Sequence, residues 1–306
     1  MESKVVTCFG WGKDAAEPSE VGVTAMLESV NRVRAVRTGC ALVAAAVSGC
    51  ATLPPAQGDR PLPAALQDDA ERELVFQPPL DPTQDDDYVV RVVVDDVTCS
   101  GTLIYEDRVL TAHHCVADRD RLGEALSNDV EPDRIRVELG GDYLPWGEVG
   151  VRALVAPPCG HNAGLGDIAI LVLERELVGM KTLAPRLERA PQLGERVDPV
   201  GFGRCALSGD GIRRRSREGG TVARVSDDRF RLRASICPGD SGGPVVTDDG
   251  WLIGVISASV MDGSEQTSAT SEFTRLDRWR PVFSLAKLVS EGAAPAELPP
   301  LSCDES

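Results

Sequence analysis

Short runs rich in Val and Ile, broken by Gly, Pro and Asp, recur through the middle of the chain. β-Branched residues punctuated by turn formers predict strands. They fall at Val89–Val94, Thr102–Tyr105, Val109–Ala112, Ile135–Leu139, Val149–Val155, Ile168–Leu173, Val197–Gly201, Thr221–Val225, Phe230–Ala234, Pro244–Thr247 and Trp251–Ser257. The period then changes. Trp279, Val282, Phe283, Leu285, Ala286 and Val289 line one face of a helix expected over Leu276–Ser290. The class is therefore all-β with one terminal helix. Residues 51–87 are rich in Pro, Gln and Asp, bury little apolar area and read as a flexible tether, with a short helix expected over Leu62–Phe76. Residues 291–306 read as a loose tail, and no repeat with a period of about 20–50 residues is present.

Composition narrows the function. The strand-rich stretch is long enough for one sizeable core. A formal charge of −16 argues against nucleic-acid binding, whose mark is a basic stripe. At the N-terminal end, Arg32, Arg34 and Arg37 precede the apolar run Ala41–Val47 and the small-residue sequence Val47-Ser-Gly-Cys50. A basic region, a short apolar run and small residues describe a secretory signal peptide. The run is too short to span a bilayer, which takes about 20 residues. The cysteine after Ser-Gly looks like a bacterial lipobox, which implies cleavage, lipidation of Cys50 and attachment to the cell envelope. An ordinary signal peptide cut nearby is the alternative, and Met26 is a second candidate start. The nine cysteines fit this processing. Cys8 and Cys40 leave with the leader, Cys50 takes lipid, and an even six remain for an oxidising compartment.

Chemistry concentrates in three runs. Residues 237–244 read Cys-Pro-Gly-Asp-Ser-Gly-Gly-Pro. A serine among glycines stands clear of its backbone, and the N–H groups of Gly239 and Ser241 can converge to stabilise an oxyanion. A serine hydroxyl attacks poorly without a base, and Thr111-Ala-His-His-Cys115 offers His114, with His113 as its confusable neighbour. On a strand the two side chains would point oppositely, which leaves His113 as a packing or partly exposed residue. His161 reads as a surface-loop residue. Asp167 opens the apolar run Ile168–Leu173, so its carboxylate is expected to be buried and partnered. Asp142, in Gly140-Gly-Asp142, reads as a turn aspartate. Histidine, aspartate and serine in this order match a nucleophile, its base and the acid that orients the base.

Through Thr111–Cys115, Asp167-Ile-Ala-Ile-Leu171 and Gly239-Asp-Ser-Gly-Gly-Pro244, the chain resembles the trypsin/chymotrypsin-type serine peptidases over about residues 88–290. Val200-Gly-Phe-Gly203, Leu252–Ser257 and Phe273–Asp277 are lesser echoes. The resemblance implies two packed six-stranded antiparallel β-barrels with a C-terminal helix, hydrolysis of peptide bonds in protein or peptide substrates, and no metal or organic cofactor. By the same resemblance Ser241 is the nucleophile, His114 the base, Asp167 its orienting acid, and Gly239 with Ser241 the oxyanion site. It also implies a Cys99–Cys115 disulfide. Cys205 is the best remaining mate for Cys237, which would leave Cys159 with Cys303.

Where the chain departs from the family, expectations change. Asp240 in such enzymes usually pairs with a new N-terminal ammonium released by cleavage, but no Ile-Val-Gly-Gly-like sequence precedes Cys99 here. Another cation or a permanently ordered loop has to satisfy Asp240. Arg213–Arg215 and Arg217 read as a solvated loop. By the resemblance, Ser235 is expected at the floor of the specificity pocket, with Ser257, Ser259 and Ser271 beside it and Ala258 where a large aromatic often sits. An uncharged floor argues against strict cleavage after Arg or Lys. Glu265 and Glu272 read as solvated loop charges.

Overall fold

The computed structural model describes residues 4–7, 86–141, 145–204, 214–217, 219–261 and 270–303. These belong to one of the chain's two compact units, Met1–Lys13 with Pro79–Ser306. Apart from Lys4–Thr7, the expected leader lies outside the described residues, as do Cys50, the helix over Leu62–Phe76, nearly all of the tether, Asp142, Cys205 and Glu265.

Six antiparallel strands close the first barrel: β2 (Val89–Val94), β3 (Val97–Tyr105), β4 (Arg108–Thr111), β7 (Ile135–Leu139), β8 (Gly147–Val155) and β9 (Ala169–Leu173). Between β4 and β7 lies a small ribbon of β5 (Ala117–Arg119) and β6 (Ala125–Asp129). Along β8 buried and accessible positions alternate, as a half-buried strand requires, whereas β9 is buried throughout. Arg91 is buried within the Val-rich β2 because Glu138, opposite it in register, pairs its guanidinium at 2.9 Å.

The second half is one antiparallel sheet of nine strands. Its path runs β11 (Arg215–Ser216), β10 (Arg196–Gly201), β15 (Pro244–Thr247), β16 (Leu252–Met261), β17 (Thr270–Arg275), β14 (Arg229–Leu232) and β13 (Arg224–Val225). The remaining two are β12 (Gly220–Thr221) on β10 and β1 (Lys4–Thr7) on the outer part of β16. Phe230 and Phe273 face each other in register and stack at 5.2 Å, a pair worth about 0.5–1.5 kcal/mol beyond burial.

The expected strand Thr221–Val225 is broken into β12 and β13, because the amides of Val222 and Ala223 turn to the carbonyls of Glu195 and Arg231. Strand β17, which reads Thr-Ser-Glu-Phe-Thr-Arg, had no expected counterpart, yet it sits between β16 and β14 with its middle buried. Its polar sequence is tolerated because Arg229 and Arg231 on β14 both pair with Glu272. Glu272 is thus a buried, neutralised strand residue and not a solvated loop charge.

Helix α1 (Arg280–Ser290) buries Val282, Phe283, Leu285, Ala286 and Val289, the face expected from the sequence. Pro281 occupies its first turn, where a missing N–H costs nothing. Arg152 on β8 donates to the carbonyls of Val289 and Ser290, satisfying groups the helix end leaves unpaired. The tail is not loose. Cys303 is bonded to Cys159, and Leu298 and Leu301 pack against the core.

Candidate active site

The turn after β4 carries His114. Its local conformation is a 3-10 turn, His113–Cys115, and not the end of a strand, so the two histidines diverge by helical rotation and both are buried. His114 Nδ1 lies 3.0 and 2.9 Å from the two carboxylate oxygens of Asp167. The His114 amide donates to the same carboxylate at 3.0 Å, and the Ser257 hydroxyl donates to its other oxygen. Asp167 is fully buried just before β9. Burial is the largest influence on its carboxyl and opposes ionisation. The charge and hydrogen bonds of His114, with the bond from Ser257, outweigh it and hold the group below the ordinary carboxylate value.

Ser241 lies on the loop before β15 and is fully buried, and its backbone is tied to the first barrel. The Ser100 amide donates to the Ser241 carbonyl at 2.8 Å. The Ser100 hydroxyl donates to the Gly239 carbonyl at 2.8 Å and accepts from the Phe202 amide at 2.9 Å. One small side chain on β3 therefore holds the serine loop against the segment after β10. Gly242, at φ 85°, makes this approach feasible: a Cβ there would lie 2.1 Å from the Ser100 carbonyl oxygen and 2.2 Å from Thr111 Oγ1. Ser241 Oγ makes no hydrogen bond, so the His114–Ser241 link is open in this structure. Among the described residues the Gly239 and Ser241 amides are donated to no acceptor.

The cation for Asp240 is Arg217. Its Nε lies 3.0 and 2.8 Å from the two Asp240 oxygens, and the amides of Gly203 and Cys237 donate to the same carboxylate at 2.7 and 2.8 Å. Burial raises the Asp240 carboxyl above its ordinary value, opposed by Arg217 and the two amides. Gly203 leaves room for the carboxylate, since a Cβ there would lie 2.4 Å from Asp240 Cγ. Arg217 is buried, not part of a solvated loop, and Arg214 pairs with Asp87 at 2.7 Å. Sequence reasoning missed Ser100 and Arg217. A serine after a cysteine and one arginine among several carry no local signal of their distant partners.

Cys99 and Cys115 are joined beside this site. Cys237 is disulfide-bonded. Of the four pocket residues, Ser235 is half-buried, and buried Ser271 donates to the Ala234 carbonyl at 3.1 Å. The Ser257 hydroxyl serves Asp167, which places it with the histidine–aspartate pair and not in a substrate slot. Ser259 pairs through its backbone with Ser271 on β17 and Val6 on β1. His113 is fully buried, the packing alternative of its sequence reading, whereas His161, at 9% exposed, is not the surface-loop residue its sequence context suggests.

Three comparisons bear on this arrangement. The family model described as Trypsin matches residues 80–282. A snake venom serine protease, KN11 from Trimeresurus stejnegeri, is 23% identical over 188 residues, covering 56% of this chain and 70% of its own length. Among solved structures, a Glu endopeptidase in complex with MPD is similar with a TM-score of 0.53 at 16% identity, over 67% of this chain and 92% of its own. A scabies mite inactivated protease paralogue, S-D1, is similar with a TM-score of 0.52 at 19% identity, over 68% of this chain and 94% of its own. These structural likenesses carry the chymotrypsin-like fold. With a family model that runs from before β2 into the start of α1, the chain belongs to the trypsin family.

Proposed function

We propose that this trypsin-family chain is an active serine endopeptidase, exported and lipid-anchored at Cys50. Ser241 attacks the scissile carbonyl, His114 takes its proton and returns it to the leaving amine, and Asp167 holds the imidazole and stabilises its positive form. The Gly239 and Ser241 amides receive the oxyanion. The observation that carries this reading is the fully buried His114–Asp167 pair, whose carboxylate accepts from the imidazole, an amide and Ser257. A buried charge with so many donors is costly to assemble. The open link to Ser241 is compatible with activity, because catalytic hydrogen bonds are often long before substrate binds.

The same reading extends to activation, specificity and location. Arg217 replaces an activating N-terminal ammonium, so the serine loop needs no cleavage to be ordered. The half-buried, uncharged Ser235, with Glu272 neutralised by two arginines, favours apolar side chains over Arg or Lys at the cleaved position. Substrate would add as an antiparallel strand to Ala258–Met261. Lys4–Thr7 now pairs with that edge, so removal of residues 1–49 would uncover it. Disulfides fit an oxidising compartment, and residues 51–87 would tether the domain.

A second reading, a silent protease-fold scaffold, draws on the unpartnered Ser241 hydroxyl. A fluorophosphonate probe separates the two. Protein beginning at Cys50 is expected to label on Ser241 and not in Ser241→Ala; folded protein that fails to label is the silent scaffold. Metabolic palmitate labelling that persists in Cys50→Ser would refute the anchor.

A further inference from the structure

Two of the chain's three histidines take no part in the proposed chemistry, yet the fold brings them together. The rings of His113 and His161 lie 4.1 Å apart, centroid to centroid. Asp129, at the end of β6, presents one oxygen to both: Oδ1 is 2.6 Å from His113 Nε2 and 3.1 Å from His161 Nε2. His113 Nδ1 contacts the Cys159 carbonyl, which only accepts, so the Nδ1 proton is fixed there. Nε2 is then left with its lone pair directed at a carboxylate oxygen. Two acceptors at that distance need a positive centre between them, either a second proton or a metal ion.

We propose that His113, Asp129 and His161 form a binding site for one divalent transition metal of the zinc class, separate from the His114–Asp167 pair. Two imidazoles and a carboxylate suit zinc better than calcium or magnesium, which prefer all-oxygen shells. Bonds of about 2.0–2.1 Å in a tetrahedron place ligand atoms about 3.3 Å apart. The three ligand atoms here all lie within 4.8 Å of one another, so a small parting of Asp129 and His113 meets that spacing. An Nδ1–H bond to a backbone carbonyl is the outer contact that orients metal-ligating histidines. The disulfide from Cys159 to Cys303 anchors the loop that supplies this carbonyl. Asp129, 36% exposed on its side chain, gives the ion an entry path, and water would fill the fourth position.

The site joins two segments that also position the proposed catalytic pair to a third, β6. His113 is adjacent to His114, His161 lies on the loop that leads to Asp167, and β6 pairs with β5 in a two-stranded ribbon. Metal occupancy would bind these segments together and raise the melting temperature through preferential binding to the folded state.

The test uses the full chain after chelator treatment, with Zn²⁺ titrated by calorimetry and Co²⁺ by visible absorption. One ion per chain is expected, with a tetrahedral cobalt spectrum free of thiolate bands and a melting temperature that rises with metal. Asp129→Asn and His161→Gln should each weaken binding by more than about tenfold, as loss of a ligand does at least as much as loss of an outer contact. Because Asp129 is partly exposed, its variant should keep the fold, checked by its metal-free melting. Ser241→Ala, which removes a hydroxyl that has no hydrogen-bond partner, should bind normally. Absence of saturable binding would mean that a proton bridges the cluster and would overturn the proposal. So would parent-like binding by the two ligand variants, or loss of binding in Ser241→Ala. Calorimetric binding does not depend on Ser241 labelling, so this site and the peptidase reading stand or fall separately.

Discussion

Asp167 and Asp240 are both fully buried carboxylates beside the serine loop, but their surroundings assign them opposite work. Asp167, on the first barrel, is matched to an imidazole, an amide and a hydroxyl. Its principal partner can gain and lose a proton, as a base must. Asp240, in the second half, is matched to a guanidinium, which stays charged at any working pH, and to two amides. It is a strut that fixes Gly203, Cys237 and the serine loop between them. Under the proposed mechanism the contrast teaches that burial alone does not mark a catalytic carboxylate; a partner able to take up a proton does.

The largest expected effect tests the first half of this contrast. Asp167→Asn should lower kcat about 10⁴-fold, because the amide stabilises neither the required tautomer nor the imidazolium. Steady-state kinetics on a peptide substrate measure it, and a loss under tenfold would put Asp167 among structural carboxylates. Arg217→Ala should act first on the fold. It leaves Asp240 buried without its cation, a loss of about 3–5 kcal/mol by denaturant unfolding. Substrate turnover should fall with it as the serine loop loosens. Should Arg217→Ala instead melt like the parent, Asp240 would not be a strut.

The pH dependence separates the two carboxylates further. Asp167 has a folded-state pKa below its unfolded value. Its contribution is therefore present above the unfolded value of about 3.9 and is lost as pH falls through the folded one. Asp240 is raised by burial and works in the opposite sense, favouring the fold below its unfolded value and losing that contribution as pH rises through the folded one. The stability gap between the parent and Asp167→Asn should thus shrink as unfolding is measured from pH 5 down to pH 3. A gap that widens on acidification would contradict the assigned direction. The smallest effect is a control. Arg136 and Glu148 form a surface pair at 3.5 Å with both side chains about half exposed. Arg136→Ala should change stability by less than about 0.5 kcal/mol, since exposed pairs contribute little.

The sequence by itself determined what depends on short stretches of chain. Val- and Ile-rich runs made most strands, and the spacing from Trp279 to Val289 made the buried helix face. The three runs around His114, Asp167 and Ser241 singled out those residues and the family. Only the tertiary structure decided the pairings between residues far apart in sequence. Arg217 reaches Asp240, and Arg229 with Arg231 makes a buried strand of the polar Thr270–Arg275. Ser100 stitches the serine loop to the first barrel, and His113, Asp129 and His161 meet beside the Cys159–Cys303 link. The physical reason is that apolar periodicity and turn chemistry act over one or two turns of chain. A lone charged residue is costly to bury without a partner, and the chain path that brings a distant partner leaves no mark in its local neighbours.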